Sequence, residues 1–166
     1  MQTYKLTIEY DGTDFGGFQS QKNARTVQDV VETALEKIFN EKIKIAGASR
    51  TDSGVHAEGQ SAHFKTGKII PLHNLLRAIN SKLPEDVAIK KIEKVPSDFH
   101  ARFSAKKKTY LYEVRLSSIP EPIHRRRVYS FFYPVDILRI KKAARLLVGR
   151  HDFKSFQAKS SEKEMS

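Results

Sequence analysis

The chain has 166 residues, and 30 lysines and arginines against 19 aspartates and glutamates leave a net charge of +11 at pH 7. This basic excess predicts a partner that carries phosphates, such as nucleic acid. The chain has no cysteine and no apolar run of signal-peptide or membrane-span length, which excludes disulfides and thiolate metal sites and favours the cytoplasm.

The first hundred residues contain four stretches with the apolar pattern of a strand and two with the apolar stripe of a helix. In chain order these are a strand at 4–10, a helix capped by Thr26, strands from Ile43 and from Gln60 to Lys65, a helix from Pro71, and a strand at 87–89. The order βαββαβ is typical of a ferredoxin-like or RRM-like antiparallel sheet with both helices on one face. We therefore predict an α+β domain over residues 1–100.

A long loop joins the first strand to the first helix. It contains glycines and two aromatic side chains, Phe15 and Phe18. A loop of this length favours a surface segment with a function of its own. The alternative is a mobile connector whose two phenylalanines pack in the core.

The sequence becomes strongly basic after Phe99. Eight lysines and arginines between Ala101 and Arg127 stand against two glutamates, a net charge of 8 − 2 = +6. Tyr110, Tyr112 and Val114 stand two residues apart and predict a strand from about 107 to 115 with both tyrosines on one face. Cations beside tyrosines suit RNA, because phosphates attract cations and splayed bases stack on aromatic rings. The alternative is that both tyrosines pack in a core.

The last part of the sequence predicts the beginning of a second unit. A strand at 128–133 precedes a helix that begins near Asp136 and is closed by Gly149, and a polar tail follows. The remaining strands and the last helix of a second βαββαβ unit are absent. We therefore predict an incomplete second α+β domain over residues 101–157 and a disordered polar tail over residues 158–166.

The stretch from Gly47 to Gln60 surrounds a candidate catalytic acid with turn-forming residues. Arg50 and Asp52 stand two residues apart, so on an extended backbone their side chains point the same way. A neighbouring arginine typically lowers a carboxyl pKa by ~1 to 3 units, which would keep Asp52 ionised as a nucleophile or base. The alternative is an Asx-turn, in which the Asp52 side chain binds its own backbone ahead of Ser-Gly.

Other chemistries have little support in the sequence. The six histidines include no pair at metal-ligand spacing, and the nucleotide-binding and zinc-protease motifs are missing, so we expect no metal and no cofactor. The aromatic RNA-binding signature of RRM domains is also missing, which weakens the hypothesis of a passive RRM reader.

Eight short motifs resemble those of the TruA-type tRNA pseudouridine synthases. They lie at residues 9–13, 17–19, 26–28, 50–57, 59–64, 99–105, 110–112 and 149–156. The resemblance covers nearly all of residues 3–157. Its most specific motif is Arg-Thr-Asp-x-Gly-Val-His-Ala, which begins at Arg50.

The resemblance implies isomerisation of uridine to pseudouridine at positions 38 to 40 of the tRNA anticodon stem-loop. It implies a homodimer without metal or cofactor, with an active site between two RRM-like halves. By this resemblance, Asp52 matches the catalytic aspartate of the family, and Tyr110 matches the tyrosine that lies against the target base. Arg50 matches the arginine of the motif that contains Asp52. Arg102 lies in a second motif that faces the substrate. Relatives continue for many tens of residues past the last motif, so the alternative is a truncated, non-catalytic RNA-binding relative.

Overall fold

The computed structural model describes residues 1–156. The chain divides into two compact units, Met1–Glu113 and Val114–Ser166. The domain boundary expected after residue 100 stays a prediction. The tail expected at residues 158–166 lies outside the described residues.

The first unit contains one antiparallel sheet and two helices. Its elements are β1 (Gln2–Tyr10), α1 (Val27–Phe39), β2 (Ala46–Gly47), β3 (Ala57–Thr66), α2 (Leu72–Asn80) and β4 (Val87–Val95). The strands lie in the order β2-β3-β1-β4, and each neighbouring pair is antiparallel. The predicted α+β class is therefore confirmed.

The core forms where the alternating face of β1 meets the helices. The buried side chains of β1 include the four apolar ones predicted from its alternation, Tyr4, Leu6, Ile8 and Tyr10, together with Thr3. The apolar stripe of α1 and the buried Leu75 and Ile79 of α2 join the same core. Thr26 caps α1 by accepting a hydrogen bond from the backbone N–H of Asp29 at 3.2 Å. The apolar face of β1 and the apolar stripes of α1 and α2 are therefore buried in one core, as expected.

A bulge explains why the apolar alternation of β4 breaks after Ile89. In the pairing of β1 with β4, Thr7 lies opposite Lys91 while Ile8 lies opposite Ile89, so Lys90 is an extra residue. The extra residue shifts the side-chain faces by one position, and Ile92 returns to the buried side. The strand is accordingly longer than the predicted stretch at 87–89.

Two predicted strands differ in extent from the observed ones. Ile43 and Ile45 are buried, yet the strand they were expected to begin is only Ala46–Gly47, because β2 lies at the sheet edge and pairs with β3 alone. The strand expected at 107–115 is also wrong, since regular structure begins only at Val114. Tyr110 and Tyr112 are 68% and 87% exposed, so the face on which both were expected to lie is uncovered.

The second unit has short elements and little core. It contains β5 (Val114–Leu116) and β6 (Tyr129–Phe131), which pair in parallel, α3 (Ile137–Leu146), and one 3₁₀ turn (Lys154–Phe156). Asp136 caps α3 by accepting hydrogen bonds from the N–H groups of Leu138 and Arg139. Within the described part of this unit, Val128 is the one buried apolar residue, and α3 buries none. In residues 1–156 no helix combines the length and apolarity needed to cross a membrane.

Hydrogen exchange should separate the two parts of the chain. We expect the backbone amides of residues 3–96 to be well protected in the monomer. Those after Phe99 should exchange faster, apart from the buried Ala101 amide that donates to His63, because the second part buries little apolar surface and a two-stranded sheet is marginal alone. Exchange followed by mass spectrometry on peptic fragments would measure this. Equal protection throughout the monomer would show that the second part is stable by itself.

Candidate active site

Two loops pack against each other at one end of the sheet of the first unit. We call residues 11–26 the first loop and residues 48–56 the Asp52 loop. The N–H of Phe18 donates to the carbonyl of Thr51 at 3.1 Å, and the N–H of Gly54 donates to the carbonyl of Phe15 at 3.2 Å. The Ser53 hydroxyl donates to the same Phe15 carbonyl at 3.1 Å. The first loop therefore holds the backbone on both sides of Asp52.

Two glycines permit this close approach of backbones. A Cβ at Gly12 would lie 2.0 Å from the carbonyl oxygen of Val55, and one at Gly17 would lie 2.6 Å from that of Thr51. Gly17 also has a φ of +106°, which side-chain-bearing residues rarely adopt. Any larger residue at either position would push the loops apart.

The first loop is anchored by its two aromatic side chains and one ion pair. Phe15 and Phe18 are each 2% exposed. The Arg25 guanidinium lies 4.0 Å from the centre of the Phe15 ring and binds both oxygens of the Asp86 carboxylate, at 2.7 and 2.9 Å. The Asp86 carboxylate raises the pKa of Arg25. The phenylalanines thus pack in the core, and the loop still forms a defined surface over the Asp52 loop.

The Asp52 loop is also tied to the centre of the sheet. The hydroxyls of Tyr10, at the end of β1, and Thr51 are hydrogen-bonded at 2.9 Å. Burial raises the pKa of Tyr10, and the hydrogen bond with Thr51 partly offsets that effect. The residue just before Asp52 is therefore held from the core side, while Asp52 itself is exposed.

Asp52 and Arg50 are both exposed and line one open cleft. The cleft has a volume of about 510 Å³ and is lined by Gly16, Gln19, Ser20, Gln21, Arg50, Thr51, Asp52 and Ser53. The structure thus brings together the two residues that the sequence singled out. Within residues 1–156, no ion pair joins Arg50 to Asp52.

The turn after Asp52 is closed by backbone rather than by the Asp52 side chain. The N–H of Val55 donates to the Asp52 carbonyl at 3.3 Å, and Gly54 supplies the positive φ of +78° inside the turn. In the described part of the chain, the Asp52 carboxylate accepts no hydrogen bond. The Asx-turn alternative is therefore not adopted, and the carboxylate remains open to a ligand.

Tyr110 and Arg102 are not among the residues that line this cleft. Tyr110 lies in an irregular, exposed segment. Arg102 is exposed in a turn that follows β4, and its guanidinium carbon lies 6.0 Å from the centre of the Phe103 ring. Their assigned roles stay predictions.

Gln19 and Gln21 line the cleft and were not proposed from the sequence. The Gln21 amide donates to the carbonyl of Gly16 at 2.8 Å, which holds the first loop in shape. Gln19 belongs to the Gly-Phe-Gln motif that begins at Gly17, and that motif was the signal available for it. No cluster of three or more histidines and acids able to hold a metal occurs in the part of the chain that the structure describes.

Comparisons with known proteins identify relatives along the whole chain. A family model described as tRNA pseudouridine synthase matches residues 6–104. The tRNA pseudouridine synthase A of Thermoanaerobacter sp. (strain X514) is 44% identical over 163 residues, which cover 98% of this chain and 67% of that protein. The proteins of that name from Ruminiclostridium cellulolyticum and Lactococcus lactis subsp. cremoris are 48% and 47% identical, over 95% and 97% of this chain and 64% of each relative. The chain thus spans about two thirds of the length of these relatives.

Proposed function

The chain belongs to the tRNA pseudouridine synthase family, and we propose that it isomerises uridine to pseudouridine in tRNA with Asp52 as the catalytic carboxylate. One observation carries this assignment of Asp52. Its carboxylate lies exposed in a cleft beside Arg50 and accepts no hydrogen bond within residues 1–156, while hydrogen bonds to the first loop hold the backbone around it.

The isomerisation requires a group of this kind. The C1′–N1 bond of uridine breaks and a C1′–C5 bond forms, while C5 loses a proton and N1 gains one, so the product has the same atoms as the substrate. A carboxylate can add to the base, add to C1′, or accept a proton from the sugar. Each route uses Asp52 as an anion, and none needs a metal or an oxidant.

The target uridine must leave its stack before Asp52 can reach it, which costs a few kcal/mol. We assign Arg50 to the space that the base vacates and Tyr110 to stacking on the base. The exposure of both side chains supports this assignment, because neither is committed to the core. Arg102 is assigned to the RNA backbone, which its charge and exposure favour.

Further features of the proposal concern fold and assembly. The element order βαββαβ and the strand order β2-β3-β1-β4 support an RRM-like arrangement of the first unit. We place the target uridines at positions 38 to 40 of the anticodon stem-loop, in the cytoplasm. A homodimer is proposed because the apolar side chains of the second unit are largely uncovered within residues 114–156.

The proposal is tested by turnover on a tRNA transcript that carries tritium at C5 of its uridines. Formation of pseudouridine releases that tritium to water. We expect tritium release when the protein is present and none when it is absent. Tight binding of the transcript without any release would instead support the alternative, a truncated relative that only binds RNA.

The basic segment, residues 102–127, should make tRNA binding depend on salt. The logarithm of the binding constant should fall linearly with the logarithm of salt concentration. Lys107→Ala should reduce the slope by about one, as for the loss of one phosphate contact. Lys37→Ala, which removes another exposed cation, from α1, serves as the control. Fluorescence anisotropy over a salt series measures both slopes. A binding constant that does not change with salt concentration would contradict the proposal that this segment contacts RNA phosphates.

A further inference from the structure

His63, on β3, contacts the turn that carries Arg102. Its side chain is 7% exposed, and the N–H of Ala101 donates to its Nδ1 at 3.2 Å. The same Nδ1 lies 3.3 Å from the carbonyl oxygen of Ala46 on β2. One ring nitrogen therefore faces one donor and one acceptor.

The protonation state of the ring decides which of these two partners is satisfied. A neutral ring with its lone pair on Nδ1 accepts from Ala101 and has no hydrogen there for Ala46. A charged ring carries hydrogens on both nitrogens, so its Nδ1 donates to Ala46 and can accept nothing from Ala101. His63 can thus satisfy Ala101 only while it is neutral.

The turn at 100–104 is closed by its own hydrogen bonds. The N–H of Ser104 donates to the carbonyl of His100 at 2.8 Å, and the N–H of His100 donates to the Ser104 hydroxyl at 3.2 Å. The turn contacts β3 through the buried Ala101 and through the His100 ring, whose centre lies 4.6 Å from that of His63. Arg102, at the middle of the turn, is exposed.

We propose that His63 is a positioning residue for RNA binding, whose neutral ring holds the turn at 100–104 against the sheet so that Arg102 meets the RNA backbone. The proposal rests on the RNA contact that the proposed function gives to Arg102. It adds a positioning residue and a pH dependence to the proposed function.

The surroundings of His63 keep it neutral near neutral pH. Burial lowers its pKa most, followed by the nearby His100, and Lys65 on the same strand lowers it further, while the Ala46 carbonyl raises it. Lys5 lies opposite His63 on β1 and is paired with Glu93 of β4 at 3.4 Å. Because the pKa is lowered, the attachment of the turn is fully present above about pH 6.5 and is lost as the pH falls further.

Two substitutions separate hydrogen bonding from titration. His63→Asn places an amide oxygen where Nδ1 accepts and does not titrate, whereas His63→Leu removes the acceptor. We expect His63→Leu to weaken binding of an unmodified tRNA transcript by about five-fold near pH 7.5, as for the loss of one hydrogen bond, and to lower its salt slope by about one. His63→Asn should bind within about two-fold of the parent near pH 7.5 and should keep that affinity at acidic pH, where protonation of His63 weakens binding by the parent.

Hydrogen exchange of the Ala101 amide reports, in the absence of RNA, whether the turn at 100–104 is bound to His63. It should be protected near pH 7.5 in the parent and in His63→Asn, and unprotected in His63→Leu. Protection of this amide in His63→Leu would overturn the role of His63.

A double substitution tests whether His63 acts through Arg102. Adding His63→Leu to Arg102→Ala should weaken binding no further. A full additional loss would overturn the positioning role, and so would unchanged affinity in Arg102→Ala alone. Both readouts are independent of turnover, so they stay decisive if the Asp52 assignment fails.

Discussion

Asp52→Asn should abolish pseudouridine formation while leaving affinity for tRNA within a few-fold. The amide keeps the size and shape of the side chain and loses the charge on which each chemical route depends. Loss of a catalytic carboxylate typically lowers turnover by on the order of 10⁴. Folding should be unaffected, because the Asp52 side chain is exposed and accepts no hydrogen bond among the residues that the structure describes. Tritium release and anisotropy on the same preparation measure both quantities.

The matched control for this substitution is Asp98→Asn. Asp98 is also exposed and lies outside the lining of the cleft, so the same chemical change there should leave turnover at the parent rate. Turnover of Asp52→Asn close to that of the parent would refute the assignment of Asp52. Loss of turnover in both variants would point to the net charge of the surface instead.

Gly17→Ala should displace the Asp52 loop and lower both stability and turnover. The new Cβ would lie 2.6 Å from the Thr51 carbonyl oxygen, and the φ of +106° is strained for alanine. Backbone strain of this kind costs about 1–3 kcal/mol, and relief of the close contact requires the two loops to separate. We expect a melting temperature several degrees lower and a larger relative loss of turnover, since Thr51 immediately precedes Asp52.

Gly67→Ala is the control for Gly17→Ala. No atom lies within 4 Å of a Cβ at Gly67, so this change should alter the free energy of unfolding by no more than about 0.5 kcal/mol. Scanning calorimetry and tritium release would compare the two variants. Parent-like melting and turnover in Gly17→Ala would mean that the packing of the two loops does not control the position of Asp52.

The sequence by itself determined the elements whose pattern is local. Three predictions rested on residues two to four positions apart, and all three features appear in the structure: the alternation from Tyr4 to Tyr10, the capping residue Thr26, and a helix that begins near Asp136. The prediction of Asp52 and Arg50 as a pair was likewise local, because a spacing of two in a specific motif needs no knowledge of the fold. The structure places both in one cleft.

Only the tertiary structure decided features that depend on distant residues. Strand pairing depends on residues far apart in the chain, so the sequence of one strand does not show which strand will lie beside it. Three features depend on such pairing: the short length of β2, the bulge at Lys90 and the irregular segment around Tyr110. The backbone turn that leaves the Asp52 carboxylate open depends on the first loop, which lies more than thirty residues earlier in the chain. The contact of Ala101 with His63 joins residues 38 positions apart, and its geometry exists only because the sheet brings them together.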